Sequence, residues 1–145
     1  MIRILAGILA ACSLCAQTKP TTFTVTTFAD SGPGSLRQAI LNANAEAGPN
    51  RITFASVLHG AIVLTTGVLG LATLAEIDGP GAEGLSVSGN NAGCVFEIEK
   101  SAAVTIHGLS IVNGRAGGDI TQPGLGGGIY VAGSALTLDV VTSCQ

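Results

Sequence analysis

Three polar residues with catalytic potential recur at one position of a repeated pattern. The pattern occurs in the segments Ala75–Asp78, Val104–His107 and Leu136–Asp139. Stacked strands lie about 4.8 Å apart, so Asp78, His107 and Asp139 would come within contact distance if successive copies stack. A histidine between two carboxylates could act as a general base or help to hold a divalent cation. Asp also favours corners where a chain turns into water, and we favour that simpler interpretation.

Glu97 and Glu99 form a second candidate pair, alternating with Phe96 and Ile98. On a strand the two carboxylates share one face, at a separation that glycoside hydrolases use. Alternate residues of any strand meet that distance, and like charges are typical of a solvated face. We interpret the pair as outer-face residues, with Tyr130 one coil away from Glu97.

The segment Gly79–Gly84 matches the pattern GxGxxG and follows a predicted strand. A dinucleotide site would require a helix next, whereas Leu85–Gly89 reads as a strand that ends in a turn. Pro80 also lacks a backbone N–H for a phosphate. We interpret the segment as a corner between strands and expect no nucleotide. His59 is isolated, and the sequence predicts no catalytic residue, no metal ligand and no cofactor.

The composition favours a narrow aliphatic interior. The chain has 145 residues, of which 10% are charged and 3% aromatic, together with 21 Gly. Such a chain buries small side chains rather than large rings. The net charge is −3 and the six Lys and Arg are scattered, so we expect no nucleic-acid partner.

The N-terminus has the pattern of an export signal. A short positive start is followed by an apolar run, Ile4 to Cys15, that is too short to span a bilayer as a helix. We predict a signal peptide at residues 1–16, cut after Ala16, and an extracellular or cell-surface location, with the outer membrane included. The alternative is a lipoprotein anchored at Cys12, because Leu9–Cys12 resembles the box at which bacterial lipoproteins are acylated.

Cleavage after Ala16 leaves Cys94 and Cys144. Export permits a disulfide, but nothing in the sequence brings these two residues together. We favour two separate thiols.

Short alternating apolar runs, closed by Gly or Asn, follow one another from residue 77 to residue 114. They leave no room for crossover helices. The repeats described above recur at offsets between the mid-twenties and the low thirties of residues, as expected for a chain wound into stacked coils. An amphipathic helix is predicted earlier, capped by Ser35 and Gln38, with Leu36, Ala39, Ile40 and Ala43 on its apolar stripe and Arg37 facing away. We predict an all-β parallel β-helix, with an N-terminal cap at residues 17–55 and coils at residues 56–145. The helix would cover the apolar end of the first coil.

The entry segment at residues 23–54 and the coils at residues 77–114 resemble bacterial surface proteins with right-handed parallel β-helix repeats. Gly127–Tyr130 is similar to a repeat element of the polymorphic outer-membrane proteins, although the companion Phe-x-x-Asn motif is absent at Phe96. Members of the broad family are longer, so we expect this chain to be a fragment. Its partners would then include the missing downstream coils of the same protein.

The resemblance implies an exported, non-catalytic surface or secreted scaffold with adhesive loops, of which residues 114–127 are the best candidate. Its partners would be surface carbohydrate or a host or cell-surface protein. The alternative is the N-terminal part of a carbohydrate-active, polysaccharide lyase-like β-helix enzyme.

Overall fold

The structure, a computed structural model, describes residues 19–115 and 127–139, and the backbone alone of residues 142–144. Short strands and one helix, α1 (Leu36–Ala45), make up these residues. The strands are β1 (Thr21–Val25), β2 (Asn50–Phe54), β3 (Gly60–Val63), β4 (Leu69–Leu71), β5 (Ala75–Asp78), β6 (Leu85–Ser88), β7 (Phe96–Ile98), β8 (Ala103–His107), β9 (Ser110–Val112), β10 (Ile129–Val131), β11 (Ala135–Asp139) and β12 (Thr142–Cys144).

The strands form three parallel sheets. Sheet A has the order β1-β2-β5-β8-β11, sheet B has β3-β6-β9-β12, and sheet C has β4-β7-β10. Each sheet takes one strand from each successive coil, and neighbouring strands in a sheet come from consecutive coils. The chain is therefore a parallel β-helix with three strands per coil, which confirms the predicted fold.

The strand register confirms the predicted repeat. Asp78 and Asp139 both lie beside His107 in sheet A, and Tyr130 lies beside Glu97 in sheet C. One predicted boundary is wrong. The sequence from Leu71 to Asp78 predicts one strand, but the structure divides these residues between β4 and β5 because the chain turns from sheet C to sheet A at residues 72–74.

Apolar side chains stack in columns inside the coils. Ile52, Ile77 and Ile106 follow one another in sheet A, and each is completely buried. Sheet B contributes a similar column of aliphatic residues, and sheet C places Phe96 and Ile98 inside. Burial of each such side chain contributes roughly 1.5 to 3 kcal/mol, so the stacked interior is the main source of stability.

Helix α1 covers the first coil, as predicted. The Ser35 hydroxyl accepts a hydrogen bond from the Gln38 backbone N–H at 3.1 Å, which caps the helix. The predicted stripe is buried: Leu36, Ala39, Ile40 and Ala43. At the other end, the Ala43 carbonyl accepts from the Glu46 N–H at 3.2 Å and from the Asn50 side-chain amide at 2.9 Å, which joins the end of the helix to β2.

The helix also supplies side chains that bond to the exposed edge of β4. Asn44 donates to the Gly70 carbonyl at 2.8 Å and accepts from the Ala72 N–H at 3.0 Å. A neighbouring parallel strand would make this same pair of bonds, to a carbonyl and to the N–H two residues later. The side chain of Asn44 thus takes the place of a strand.

Arg37 differs from the prediction. Its guanidinium does not face away but donates to the carbonyls of Gly67 and Val68 at 2.6 and 2.9 Å. It also forms an ion pair with Asp30 at 2.8 Å. Arg37 therefore joins the helix to the turn between β3 and β4.

Glycines permit close stacking at the corner that follows β5 and β8. A Cβ on Gly79 would collide with the Gly108 carbonyl and lie 2.6 Å from the Leu109 side chain, and Gly108 itself has a φ of 56°. The Gly81 N–H donates to the Gly108 carbonyl at 2.9 Å. Successive coils therefore touch through their backbones at this corner, which only glycine permits.

Candidate functional site

The outer face of sheet A carries two columns of polar residues. Because the inward residues of each strand alternate with outward ones, the register aligns the outward positions from coil to coil. One column contains Thr22, Arg51, Glu76, Thr105 and Thr137, and the other contains Thr24, Thr53, Asp78, His107 and Asp139. The predicted trio lies in the second column.

Arg51 binds the carboxylates of the following coil. Its Nη2 lies 2.6 Å from Oδ2 of Asp78, and its Nε lies 3.8 Å from Oε2 of Glu76. The Arg51 and Asp78 side chains are 41% and 37% exposed, so water screens the pair and its net contribution is below about 1 kcal/mol. The consequence for chemistry is that the Asp78 carboxylate already has a cationic partner.

His107 lies between two carboxylates, but Asp78 is not one of them. Its Nε2 is 3.5 Å from Oε1 of Glu76, and its Nδ1 is 3.5 Å from Oδ2 of Asp139. Both distances exceed a good hydrogen bond, so these are electrostatic contacts. They tie three consecutive coils together.

The sequence predicted three members of this cluster, and the structure adds Glu76 and Arg51. These two residues lie in the neighbouring column of outward residues on sheet A. Alternation with period two along β5 and β2 was the signal that could have identified them. Together the five residues form a ladder of ionisable side chains along the solenoid, which we call the sheet A ladder (Arg51, Glu76, Asp78, His107 and Asp139).

The contacts of the sheet A ladder join consecutive coils. Within the described residues, no group of three or more His, Cys, Asp or Glu side chains is placed to hold a metal ion. The imidazole is one-third exposed, so water reaches it.

The second candidate pair lies on sheet C. Glu97 is outward on β7, between Gly70 of one coil and Tyr130 of the next. Glu99 reaches back over Gly70, where an added Cβ would lie 3.6 Å from its Oε1. Glu99 is exposed on the rim of a groove between α1 and β4, whose floor includes Leu41 and Leu69.

The remaining motifs are structural where the structure describes them. Gly79–Gly84 leads into strand β6 and not into a helix, so the corner interpretation is confirmed. His59 is exposed in the turn between β2 and β3, where it lies beside Gly84 of the following coil.

Several predictions fall on residues that are not described. The signal peptide, the Cys12 lipoprotein box, residues 116–126 of the proposed loop and the Cys144 side chain lie outside the described residues. Cys94 lies in the corner between β6 and β7, partly buried. The expectation of two separate thiols stays a prediction. In the described part of the chain, no helix is long and apolar enough to cross a membrane.

Asp30 is the most strongly bonded carboxylate in the cap. Its Oδ2 accepts from the N–H and hydroxyl groups of Thr65 and Thr66 at 2.6 to 3.0 Å, and Oδ1 pairs with Arg37. Burial alone raises the pKa of Asp30, but the hydrogen bonds from Thr66, Arg37 and Thr65 outweigh it and hold that pKa well below its usual range. These bonds clasp the cap to the first coil.

Comparison of the chain with protein-family models, with curated proteins and with solved structures found no match.

Proposed function

We propose that the chain is an exported, non-catalytic β-helix scaffold that works at the cell surface or outside the cell and carries an adhesive loop. The observation that supports this most directly is the pairing of the sheet A ladder. Its charged groups are bound to one another between coils, as with Arg51 and Asp78 at 2.6 Å. Groups used in this way stabilise an elongated stack.

The proposed adhesive loop leaves and rejoins the stack at one point. A Cβ on Gly114 would collide with the carbonyl of Gly127, so the two ends of the loop are in contact. A loop with adjacent ends can be long without disturbing the coils on either side. Its partners would be surface carbohydrate or a cell-surface protein.

Replacement of residues 116–126 by a Gly-Ser segment of equal length tests the adhesive role. We expect the variant to keep its β-sheet circular dichroism signal and to lose retention on cells and on arrayed surface glycans. The control is the double change Pro80→Ser and Glu83→Ser, at two exposed residues of another corner, with Gly81 and Ala82 unchanged. Equal retention of the two variants and the unchanged chain would contradict an adhesive role for the loop.

Mass spectrometry of the exported chain tests the location. We expect a mature N-terminus at Gln17. An acylated Cys12, lost in the variant Cys12→Ala, would support the lipoprotein alternative, and an intact Met1 in the cytoplasm would refute export.

Incubation with acidic polysaccharides addresses the enzymatic alternative. We expect no unsaturated products from the chain. Product formation that is abolished by His107→Ala would replace the scaffold proposal with a carbohydrate-active one, because an imidazole between two carboxylates can act as a general base.

A further inference from the structure

The groove between α1 and β4 has an apolar floor and apolar sides. Ile40 and Leu69 are buried at its base, while Leu41 and Val68 beside them are 55% and 36% exposed. Apolar side chains left open around a concave site mark a place of contact with another molecule. The volume of the groove is about 260 Å³, below the roughly 300 to 1,000 Å³ of sites that hold a drug-sized ligand. The groove therefore has room for one long side chain.

The strand edge beside the groove is already bonded, so a further strand has no place there. Asn44 bonds to the Gly70 carbonyl and to the Ala72 N–H, and Arg37 donates to the Val68 carbonyl at 2.9 Å. A strand that paired with β4 on this side would need these same backbone groups. The occupant that leaves these bonds in place is a side chain and not another coil of the solenoid.

The charge that the groove leaves unpaired is negative. Arg37 also lines the groove, but it forms an ion pair with Asp30 at 2.8 Å, so its charge is balanced. The Glu99 carboxylate makes no hydrogen bond or ion pair with any described residue. Its Oε1 lies over β4, 3.6 Å from the position that a Cβ on Gly70 would take. A cation is therefore the complementary group at this end of the groove.

We propose that the groove binds a basic side chain of a partner protein. The methylene groups of that side chain lie against Leu41 and Val68, and its charged head meets the Glu99 carboxylate at the rim. The residues on either side of it in the partner cover the parts of Leu41 and Val68 that the groove leaves exposed. The groove and the loop proposed for adhesion lie on different elements, so this inference is independent of the adhesive function.

An NMR titration of the full chain with the acetylated tripeptide amide Leu-Lys-Leu tests the site. We expect saturable shifts with a dissociation constant of millimolar order, largest at the amides of Leu41, Gly70 and Glu99. The same peptide with norleucine, which keeps most of the stem and lacks the charge, should bind severalfold more weakly. Equal binding of the two peptides, or shifts confined to another part of the chain, would overturn the proposal.

The amine n-butylamine distinguishes a protein partner from a free amine. It has the stem and the charge of lysine without flanking residues, so it leaves Leu41 and Val68 partly exposed. We expect it to bind severalfold more weakly than the lysine tripeptide. Equal affinity of the two would refute a protein as the occupant.

Glu99→Gln removes the charge from the rim. The Glu99 side chain is exposed and makes no bond to a described residue, so the fold does not depend on it. We expect the dissociation constant of the lysine tripeptide to rise about two- to fivefold, the range for an exposed ion pair. Glu83→Gln, at an exposed carboxylate on another corner, is the matched control. The same affinity in both variants would contradict a role for Glu99.

Leu41→Ser tests the apolar side of the groove, with Val57→Ser as its control. Both residues are exposed, at 55% and 79%, and only Leu41 lines the groove. We expect Leu41→Ser to weaken binding of the lysine tripeptide severalfold and Val57→Ser to leave it unchanged. Equal effects of the two changes would show that the peptide does not lie against α1.

The variant with residues 116–126 replaced separates this site from the adhesive loop. We expect it to bind the lysine tripeptide as the unchanged chain does, even when it loses retention on cells. Loss of peptide binding in this variant would assign the binding to the loop and would refute the groove.

Discussion

Asp30 and His107 are both ionisable, but their surroundings make their contributions to folding stability unequal. Asp30 is held by backbone and side-chain donors of one turn, and its side chain is only 10% exposed. His107 contacts carboxylates at 3.5 Å from a position open to water. Hydrogen bonds to a mostly buried charge contribute more to folding stability than ion pairs that water screens. Asp30 therefore contributes more to stability than His107 does.

Asp30→Asn should destabilise the fold and change its response to acid. The amide cannot replace the carboxylate as acceptor for Arg37 and both threonines, and we expect a loss of about 1 to 2 kcal/mol, since the threonines are exposed. Because folding lowers the pKa of Asp30, its stabilisation is complete at neutral pH and declines as the pH falls below about 4, where the unfolded chain takes up the proton first.

Urea denaturation at several pH values measures this effect. The difference in unfolding free energy between the original chain and Asp30→Asn should be largest at neutral pH and should shrink in acid. A difference that is constant from pH 7 to strong acid would argue against an ionised Asp30 in the folded state.

Among the elements, α1 acts as a substitute for a coil. Its buried stripe covers the first coil, and Asn44 supplies the bonds that a strand of sheet C would otherwise make. The helix thus resolves two problems of a solenoid end, an exposed apolar interior and an open strand edge.

Asn44→Ala should separate these two roles. The apolar stripe is retained, while the Gly70 carbonyl and the Ala72 N–H lose their partner. We expect a loss of about 1 to 2 kcal/mol of unfolding free energy in chemical denaturation. Asn42→Ala is the matched control, because the Asn42 side chain is exposed and accepts a hydrogen bond from Gln38 of the same helix, with no contact to β4 among the described residues. If the control costs as much as Asn44→Ala, the edge contacts contribute little.

The corner glycines give a second prediction about elements. Gly79→Ala must displace the Gly108 backbone and the Leu109 side chain, and we expect a loss of about 1 to 3 kcal/mol. Gly93→Ala is the control, because an added Cβ there meets no atom within 4 Å. Thermal unfolding of both variants measures the difference, and equal melting temperatures would contradict close stacking at this corner.

At the scale of the whole molecule, stability is distributed along the stack. Each coil contacts only the coils before and after it, so a coil with two neighbours is more stable than a terminal one. The first coil has α1 as a substitute neighbour, whereas Leu138 in β11, the last strand of sheet A in the described residues, is half exposed. The two ends should therefore open at different rates.

Hydrogen exchange on the monomeric chain should show this asymmetry. We expect the amides of β5 and β8 to exchange most slowly, those of β2 to be intermediate, and those of β11 to exchange fastest, since local opening requires less buried surface to be exposed. Uniform protection of β2 and β11 would indicate that α1 adds nothing to the first coil.

Much of the fold could be predicted because its signals are local and repeated. Inward alternation in β5, β8 and β11 set their register, and Ser35 with Gln38 marked the start of α1. The end of β4 and the start of β5 could not be predicted, because the apolar residues continue through the corner between them. The geometry of that corner depends on the neighbouring coil. Arg37 was misjudged because its partners lie about 30 residues away in sequence.

The sequence by itself determined the repeat, the helix and the alignment of Asp78, His107 and Asp139, since side-chain alternation and capping act over a few residues. Only the tertiary structure decided which charges meet. In that structure Asp78 forms an ion pair with Arg51, His107 contacts Glu76 and Asp139, and Asn44 forms hydrogen bonds with the edge of β4. Side-chain contacts between coils depend on rotamers and on the stacking of distant segments, and a one-dimensional pattern does not contain that information.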